Sequence, residues 1–542
     1  MRITKLSLTN FKSFKETQTI EFAPVTLLFG PNSVGKSSVL MALAYIQQIL
    51  SKGHCNPQRF DAMGQKNIGG FESLVHGQDL TKPIRIRLDY ETTRSLFLNY
   101  EHRVDEMVNH IPDARYLLMD DFGGNLKSGA VEFEIVWSER FDRAYVKNYR
   151  TWVNEVYLGC VYSSEDLSNT MIKELNTEHP SLIPYNNDDW QEYQYGEVES
   201  REGLDDDEPR TEFELELNAL NSNPPNIGEF IDSEFSSRVG HIGLQCRSGA
   251  IPILGSPVIT NLSGQDFDDL DKHLHFLVIQ SILSQAFVLP LDKLLEYLQE
   301  SAHIGPLRLV PDSDYVSNPH PEQKDWADGS AAWDLLSKDP NTNPDIKKLI
   351  HNTSDCFSSS RKLNSGYEIL NYSIMDRFFI SPDETNKSLL SNRHLSFKEI
   401  RTNIVLSANQ LGTGISQVLP IVVAANYDPV SLISIEQPEL HIHPRFQVEL
   451  ADVFLDTANE HSFLIETHSE HLILRLLKRI RQSTDEELPE GHKPVSKDDV
   501  SIVYLAPSKE GVVAKRIRID EDGEFIDRWP RGFFSERRGE LL

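Results

Sequence analysis

A chain of 542 residues has material for two or three packed cores, because single domains usually run about 100 to 200 residues. Hydrophobic residues make up 39% and charged residues 25%, and the sequence has neither a run of roughly 20 apolar residues nor a secretory signal pattern, so we expect a soluble, cytoplasmic protein without membrane contact. The formal net charge of −29 repels nucleic acid on average, so any DNA contact requires a local basic patch.

The four cysteines are scattered along the chain without a CxxC pair, which argues against a zinc site or a disulfide framework. Much of the acidic charge lies in residues 187–235, which combine charge runs with asparagine and proline. This composition predicts a solvated insert, with a specific acidic binding surface as the alternative.

The first elements follow one another closely. Alternating runs over 3–8 and 19–22 predict strands, and the apolar run 25–29 predicts a buried strand that ends at Gly30-Pro31. A helical pattern over 36–50 follows directly, and β-rich runs between 82 and 162 indicate an antiparallel sheet. Residues 163–300 have a helical and acidic texture, with a break near Pro290.

The last third returns to alternating helices and strands. We expect helices over 414–426, 444–459 and 469–482, and strands over 431–436 and 462–466. The chain therefore divides into an N-terminal half of an α/β domain (1–162), a mainly helical acidic insertion (163–300) and a C-terminal half (301–542). No heptad pattern lasts long enough for a coiled-coil arm.

A phosphate loop joins the strand 25–29 to the helix that follows it. The sequence matches GxxxxGK[ST], in which glycines let backbone N–H groups curl around a phosphate beside a helix N-terminus. Lys36 is expected to reach the β- and γ-phosphates of ATP, and Ser37 to place its hydroxyl on Mg²⁺. The predicted nucleotide-binding residues of this loop are Gly30, Pro31, Asn32, Ser33, Val34, Gly35, Lys36, Ser37 and Ser38.

Three more segments accompany the phosphate loop. The sequence NQLGTGISQ, residues 409–417, places a small-residue loop before a helix, where its backbone donors and hydroxyls point toward an anion. The sequence IEQP, residues 435–438, ends one strand, and FLIETHS, residues 463–469, ends the next strand in a histidine.

This order of motifs resembles ABC-type ATPase heads of the SMC and RecF class. IEQPELHIHP followed by ETHSEHLILRL is more similar still to AAA-type ATPases related to the overcoming-lysogenization-defect family, as are the start TKLSLTNFKSF and the tail DGEFIDRWPRGFF. The resemblance covers about 1–80 and 300–542. It implies an α/β ABC-type head, with a mixed sheet, an antiparallel sub-sheet and flanking helices, carrying a helical acidic insertion.

The resemblance also implies roles for particular residues. Lys12 and Ser13 would lie near the nucleotide, Glu436 would join Ser37 in holding Mg²⁺, and His468 would be a switch histidine at the γ-phosphate. The signature residues Gly412, Thr413, Gly414 and Ser416 would face the γ-phosphate bound by a second head. This chain has Gly412 where the signature usually begins with serine, so Thr413 or Ser416 must supply the hydroxyl.

Gln437 occupies the position where such heads usually carry the catalytic glutamate. An amide can orient a water molecule but cannot accept its proton, so we expect slow ATP hydrolysis with Lys36, Glu436, Gln437 and His468 as the catalytic set. Glu439 and Glu466 are the nearest acids in sequence that could replace the missing base.

Three other groups admit more than one interpretation. His441 and His443 fit a loop facing a second head, with metal binding together with Glu439 as the alternative. A basic run on one helix, Arg475, Lys478, Arg479 and Arg481, is either a solvated face or a contact for nucleic acid or an effector. Trp529, Phe533 and Phe534 are expected to pack against the head.

Members of the resembled class pair two heads around ATP, and several work in antiphage systems beside a nuclease or other effector. The leading hypothesis is therefore an ATPase that forms a homodimer of heads, or a higher homo-oligomer, and controls an effector such as a nuclease. The alternatives are a RecF-like repair ATPase that binds duplex DNA, which the net charge disfavours, and a nucleotide-dependent scaffold that never hydrolyses ATP. A nuclease within the chain itself is not expected.

Overall fold

The computed structural model describes residues 1–64, 66–92, 126–180, 242–260, 280, 283–312, 314–359, 362–374 and 392–529. These residues form two compact units. Unit 1 comprises Met1–Lys5, Gln48–Asn56 and Asp79–Leu295, and unit 2 comprises Leu6–Gln47, Pro57–Gln78 and Glu296–Leu542. The acidic segment 187–235 lies outside the described residues.

The secondary structure follows the chain in three stretches. The first contains β1 (Arg2–Thr9), β2 (Gln18–Glu21), β3 (Val25–Phe29), α1 (Lys36–Lys52), β4 (Arg59–Phe60) and β5 (Lys66–Asn67). The second contains β6 (Ile84–Glu91), β7 (Ser128–Ser138), β8 (Arg143–Val153), β9 (Val156–Ser163), β10 (Thr170–Leu175), β11 (Ile242–Gly243), β12 (Cys246–Ser248), β13 (Ile251–Pro252) and α2 (Leu289–Gln299).

The third stretch supplies most of unit 2. It contains β14 (Ala302–Ile304), α3 (Ser330–Leu336), α4 (Pro344–Ser358), β15 (Tyr367–Ile374), β16 (Asn392–Glu399), β17 (Val405–Leu406), α5 (Thr413–Ala425), β18 (Leu432–Glu436), α6 (Pro444–Thr457), β19 (Ser462–Glu466), α7 (Glu470–Thr484), β20 (Val500–Ser508) and β21 (Gly511–Ile517). In the described parts of both units, no helix is long and apolar enough to span a membrane.

Unit 1 is built on antiparallel strands in the order β11-β10-β9-β8-β7-β6. Buried and more exposed side chains alternate along β6, as expected for a strand with one face on the core. The antiparallel sheet expected between 82 and 162 is therefore confirmed.

The structure describes residues 163–180, 242–260, 280 and 283–300 of the insertion expected over 163–300, so its mainly helical character stays a prediction. Strands β10 to β13 fall within it, and α2 occupies its end. These strands are short and interrupted by polar residues, which hides their period-2 pattern in the sequence.

The core of unit 2 is a six-stranded sheet in the order β14-β18-β19-β3-β20-β21. All neighbouring pairs are parallel except β20 with β21. Strand β3 is buried along its whole length and α5 is buried from Ile415 to Ala425, so both run as nearly continuous apolar sequence. The mixed α/β fold class expected from the sequence is confirmed.

This topology brings three motifs to one edge of the sheet. Strands β18, β19 and β3 are adjacent and parallel, so their carboxyl ends meet there. Glu436 lies opposite Glu466 in the register of β18 and β19, and Glu466 lies opposite Leu28 in the register of β19 and β3. Ligands of open parallel sheets bind outside this edge.

Candidate functional site

The phosphate loop begins directly after β3 and ends at the first turn of α1. Gly30 has φ +146°, and a Cβ there would lie 2.4 Å from the carbonyl oxygen of Leu505. Gly35 has φ +109°, and its Cβ would lie 2.7 Å from Ser13 Oγ. Both positions therefore require glycine, for backbone conformation and for space.

Lys36 folds back over the loop that precedes it. Its side chain is 3% exposed, and Nζ donates to the carbonyl oxygens of Gly30 at 3.0 Å and Pro31 at 3.1 Å. Nζ also lies 3.3 Å from His468 Nε2 and 3.6 Å from Glu466 Oε1. Burial lowers the pKa of Lys36, and Glu466 opposes that shift. The ammonium group therefore lies over the loop and contacts hydrogen-bond acceptors that phosphate oxygens can replace.

Ser37 makes the contact that ties the loop to the neighbouring strand. Its Oγ donates to Glu466 Oε2 at 2.9 Å. Glu466 ends β19 and is buried. A hydroxyl and a carboxylate are thus placed together where the loop meets the sheet edge, and oxygen ligands of this kind are those that Mg²⁺ prefers.

His468 follows β19, and Glu439 fixes the backbone around it. Glu439 accepts hydrogen bonds from Thr467 Oγ1 at 2.7 Å and from the His468 backbone N–H at 2.7 Å. Burial, and then the charge of Lys36, lower the pKa of His468. The imidazole is therefore neutral near pH 7, and Nε2 accepts a hydrogen bond from the Lys36 ammonium group.

Glu436 ends the next strand, β18, and faces a different set of groups. Its Oε1 lies 3.9 Å from Lys66 Nζ and 3.6 Å from His303 Nε2. Burial raises the pKa of Glu436, whereas it lowers the pKa of His303 to about 4. His303 is thus neutral at pH 7, and its Nδ1 lies 3.0 Å from Ser434 Oγ.

Gln437 has a left-handed backbone conformation, with φ +48°. Its N–H donates to the carbonyl oxygen of Glu466 at 2.7 Å, and its own carbonyl accepts from Arg308 Nη2 at 3.3 Å. A non-glycine residue at positive φ costs of order 1–3 kcal/mol, so the surrounding bonds hold it in place.

Arg308 connects this strand end to the helix behind the signature loop. It is 5% exposed, and it donates to the carbonyl oxygens of Gln417 at 3.2 Å and Glu436 at 3.1 Å in addition to Gln437. Gln417 Nε2 donates back to the Arg308 carbonyl at 3.0 Å. Burial lowers the pKa of Arg308 to about 10, so the guanidinium is still charged at neutral pH.

Lys12 and Ser13 lie at the turn between β1 and β2. The Ser13 side chain packs against Gly35. Lys12 has φ +51°, its N–H donates to the carbonyl of Leu74, and its carbonyl accepts from His76 Nδ1. Burial, and then Lys66, lower the pKa of Lys12. Lys12 and Lys66 thus direct like charges toward one region, a suitable arrangement for a phosphate.

The signature segment divides into an exposed part and a buried part. Gly412 and Thr413 are exposed at the N-terminus of α5. Gly414 is half-buried, and a Cβ there would lie 3.3 Å from the carbonyl oxygen of His441, closer than ordinary van der Waals contact. Ser416 is fully buried, so it does not face outward as expected. It lies one turn into α5, on a side that packs against the core, and the exposed hydroxyl is that of Thr413.

The residues with alternative interpretations are placed as follows. His441 is exposed, and His443 Nδ1 accepts from the Arg445 N–H at the start of α6. Among the described residues, no group of three or more His, Cys, Asp or Glu side chains is arranged to hold a metal ion. Glu439, the third ligand of the metal alternative, is bonded to Thr467 and His468 instead.

The basic side chains of α7 are mostly paired within the chain. Arg479 is 5% exposed and donates to Asp452 at 2.7 and 2.8 Å, and Arg475 also donates to Asp452 at 2.9 Å. Arg481 pairs with Glu524. The helix therefore presents little unbalanced positive charge to nucleic acid.

Trp529 packs against the core beside Phe29 and Phe525, with ring centroids at 5.8 and 4.9 Å. The packing expected for this residue is confirmed. Phe533 and Phe534 lie outside the described residues.

The sequence patterns did not predict three residues of the site: Lys66, His303 and Arg308. Each lies in a short strand or loop without a motif of its own. The segment IGPLR, residues 304–308, offered a weak signal, because an arginine after Gly-Pro directly follows a buried strand.

A family model described as AAA ATPase domain matches residues 1–235 and 317–473, more than half of the chain. The DNA replication and repair protein RecF of Desulforamulus reducens is 44% identical over 45 residues. That match covers 8% of this chain and 12% of the RecF protein, so the chain spans about an eighth of its curated relative's length.

Solved structures of SMC heads are also similar. The SMC head domain from Thermotoga maritima gives a TM-score of 0.35 at 10% identity, covering 96% of this chain and 100% of that one. The Smc head domain bound to the C-terminal domain of ScpA, from Pyrococcus furiosus, gives 0.36 at 10% identity, covering 95% and 96%. These structural similarities are distant and do not identify the family of the chain. The family match does, and the motifs at one edge of the sheet agree with it. The chain belongs to the AAA ATPase domain family.

Proposed function

We propose that the protein binds and slowly hydrolyses ATP, and that ATP-driven pairing of two heads controls a partner effector, such as a nuclease, in antiphage defence. The observation that carries the ATPase part is the meeting of Lys36, Ser37, Glu466 and His468 at the carboxyl edge of the parallel sheet. The effector and the defence role rest on the family resemblance of the motifs.

The donor set fits ATP with Mg²⁺. The loop from Gly30 to Ser38 offers backbone N–H groups beside the N-terminus of α1, and Lys36 can exchange the carbonyls of Gly30 and Pro31 for phosphate oxygens. Ser37, Glu466 and Glu436 provide oxygen atoms for the metal ion. Bound Mg²⁺ would neutralise charge that develops on the phosphates.

Slow turnover follows from the positions of the acids. Gln437 can orient a water molecule but not take its proton. Glu439 is held by Thr467 and His468, and Glu466 by Ser37, so each carboxylate already serves another group. Because general-base help is typically worth 10²–10⁴ in rate, the site favours holding ATP over hydrolysing it.

Pairing of heads is supported by the exposed start of α5. Gly412 and Thr413 present a helix N-terminus and a hydroxyl to the outside, where an anion bound to a second copy can meet them. ATP bound in one head would then add contacts from both copies. ATP that binds the paired heads more tightly than the separate heads shifts the equilibrium toward pairing, by an amount set by the difference between the two binding free energies.

The first test is nucleotide binding and phosphate release by the purified protein with Mg-ATP. Lys36→Ala should abolish both, while Lys347→Ala, an exposed lysine on α4, should leave both unchanged. Phosphate release by Lys36→Ala at the wild-type rate would contradict the assignment of this loop as the ATP site. Binding without any release above that of Lys36→Ala would instead identify a nucleotide-dependent scaffold.

The second test concerns pairing and the effector. Sedimentation of the protein with and without ATP should show an ATP-dependent increase in mass, and Thr413→Arg should prevent it by placing bulk and charge at the exposed signature. Co-purification with the products of adjacent reading frames would identify the effector. An unchanged mass with ATP would contradict pairing.

A RecF-like role in DNA repair is the second candidate, because a 45-residue segment matches RecF at 44% identity. The net charge of −29 and the internal pairing of Arg475, Arg479 and Arg481 oppose it. Binding to duplex DNA measured over a salt series distinguishes the two. Affinity that falls steeply with salt would favour repair, and no affinity at low salt would exclude it.

A further inference from the structure

Two carboxylates, Glu436 and Glu466, lie at this edge of the sheet, and they contact different groups. Glu466 Oε2 accepts the Ser37 hydroxyl at 2.9 Å, and Glu466 Oε1 lies 3.6 Å from Lys36 Nζ. Glu466 thus contacts both side chains by which the loop is expected to hold Mg-ATP. In such a head, the acid expected to contact the Mg²⁺-binding serine is the one at the end of β18, which is Glu436 here.

Strand order explains the difference. β19 is the direct neighbour of β3, and Glu466 lies opposite Leu28, two residues before the loop begins. β18 is one strand further away, and neighbouring strands are about 4.8 Å apart. Glu466 therefore starts from the strand next to the phosphate loop and bonds Ser37 directly, whereas Glu436 starts from a strand that is not adjacent to β3.

Glu436 is also engaged in another direction. Its Oε1 faces Lys66 at 3.9 Å and His303 at 3.6 Å, and Lys66 offsets part of the cost of burying this carboxylate. These contacts of Glu436 are therefore with side chains of β5 and β14, whereas those of Glu466 are with Lys36 and Ser37.

We propose that Glu466 is the carboxylate that orients the Ser37 hydroxyl toward Mg²⁺, while Glu436 has a lesser part in holding the metal. By accepting the only hydroxyl proton of Ser37, Glu466 leaves the Oγ lone pairs free to face the metal and contributes one negative charge beside it. This inference rests on the proposed function, since it assumes that Mg-ATP occupies the loop.

The backbone of Glu466 carries a further consequence. Its carbonyl accepts the Gln437 N–H at 2.7 Å, so the metal-orienting carboxylate is linked directly to the residue at the catalytic position. The side-chain carboxylate of Glu439 accepts hydrogen bonds from the next two residues, Thr467 and His468. Glu466 is therefore a positioning residue for the metal, set by a rigid strand end.

The experiment measures metal affinity separately from nucleotide affinity. Binding of a fluorescent ATP analogue is measured in EDTA and over a Mg²⁺ titration, and Mn²⁺ binding to the protein–ADP complex is measured by electron paramagnetic resonance. Glu466→Gln and Glu436→Gln are compared, with the exposed Glu460→Gln as a matched control. Removing a group that orients a metal ligand typically lowers metal affinity 10–100-fold.

We expect Glu466→Gln to weaken Mn²⁺ and Mg²⁺ affinity at least tenfold while analogue binding in EDTA changes less than twofold. Glu436→Gln should weaken metal affinity less than Glu466→Gln does. Because Glu466 acts through Ser37, the double variant Ser37→Ala/Glu466→Gln should lose little more metal affinity than either single variant.

Unchanged metal affinity in Glu466→Gln, or a larger loss in Glu436→Gln, would overturn the proposal. So would an equal loss of analogue binding in EDTA, because that would give Glu466 a structural role only. A wild-type protein that binds no analogue with or without Mg²⁺ would instead overturn the proposed function itself, which keeps the two failures distinct.

Discussion

Gln437→Glu should increase the rate of ATP hydrolysis. The substitution changes an amide to a carboxylate of the same shape, so it creates neither a cavity nor a clash. Three hydrogen bonds to its backbone hold residue 437 in place. Its N–H donates to the carbonyl of Glu466 at 2.7 Å, and its carbonyl accepts from the Leu440 N–H at 3.2 Å and from Arg308 Nη2 at 3.3 Å. The new carboxylate therefore occupies the position from which the amide would contact water.

The size of the gain follows from two opposing effects. A general base is typically worth 10²–10⁴ in rate, or about 3 to 5 kcal/mol of barrier. The new charge joins Glu436, Glu439 and Glu466, and a like charge ~8 Å away costs about 2 kcal/mol at an effective dielectric of ~20. Lys36 and Lys66 offset part of that cost. We expect a net increase of roughly tenfold to hundredfold.

The assay is steady-state phosphate release with saturating Mg-ATP, together with single-turnover kinetics to separate chemistry from product release. Lys36→Ala/Gln437→Glu should abolish the gain, which shows that it arises in this site. Gln437→Ala should be slower than wild type, because it removes the amide that orients water. An unchanged or lower rate in Gln437→Glu would show that the base lies elsewhere in the site.

Three more predictions follow from the geometry. Arg308→Lys should lower both the thermal midpoint and kcat while ATP affinity changes only a few-fold, because lysine cannot reach all three carbonyls of Gln417, Glu436 and Gln437. Gly35→Ala should weaken ATP binding at least tenfold, since its Cβ would lie 2.7 Å from Ser13 Oγ at φ +109° and such backbone strain costs about 1 to 3 kcal/mol. His303 has a pKa lowered to about 4 in the folded state, so its contribution to stability is complete above about pH 6.5 and is lost as the pH falls from 6.5 toward 4, by up to about 3 kcal/mol. His303→Asn should accordingly flatten the acid side of the stability–pH profile, measured by thermal unfolding.

Each of these predictions has an outcome that would contradict it. A loss of ATP affinity equal to the loss of kcat in Arg308→Lys would place the arginine in nucleotide binding instead. Normal ATP binding by Gly35→Ala would show that Ser13 and the loop yield without cost. For His303, a pH profile identical to wild type in the asparagine variant would show that other groups account for acid sensitivity, and the exposed His441→Asn serves as the control.

Much of the site was predictable because its motifs are local. The loop from Gly30 to Ser38 and the strand ends at Glu436 and Glu466 depend on glycine spacing and apolar runs, which a few neighbouring residues determine. The bounds of α1 and β19 accordingly agree with the prediction within two residues. The short strands within 163–300 carry too little periodicity to be identified from the sequence, and the burial of Ser416 depends on which face of α5 packs inward.

The sequence by itself determined that this chain carries a phosphate loop, a strand-end acid with glutamine beside it, and a strand-end histidine, because each depends on residues adjacent in the chain. Only the tertiary structure decided which of them meet. Strand order places β19 between β3 and β18, so Ser37 contacts Glu466 while Glu436 faces Lys66 and His303. Contacts between residues hundreds of positions apart follow from sheet topology, which no local pattern encodes.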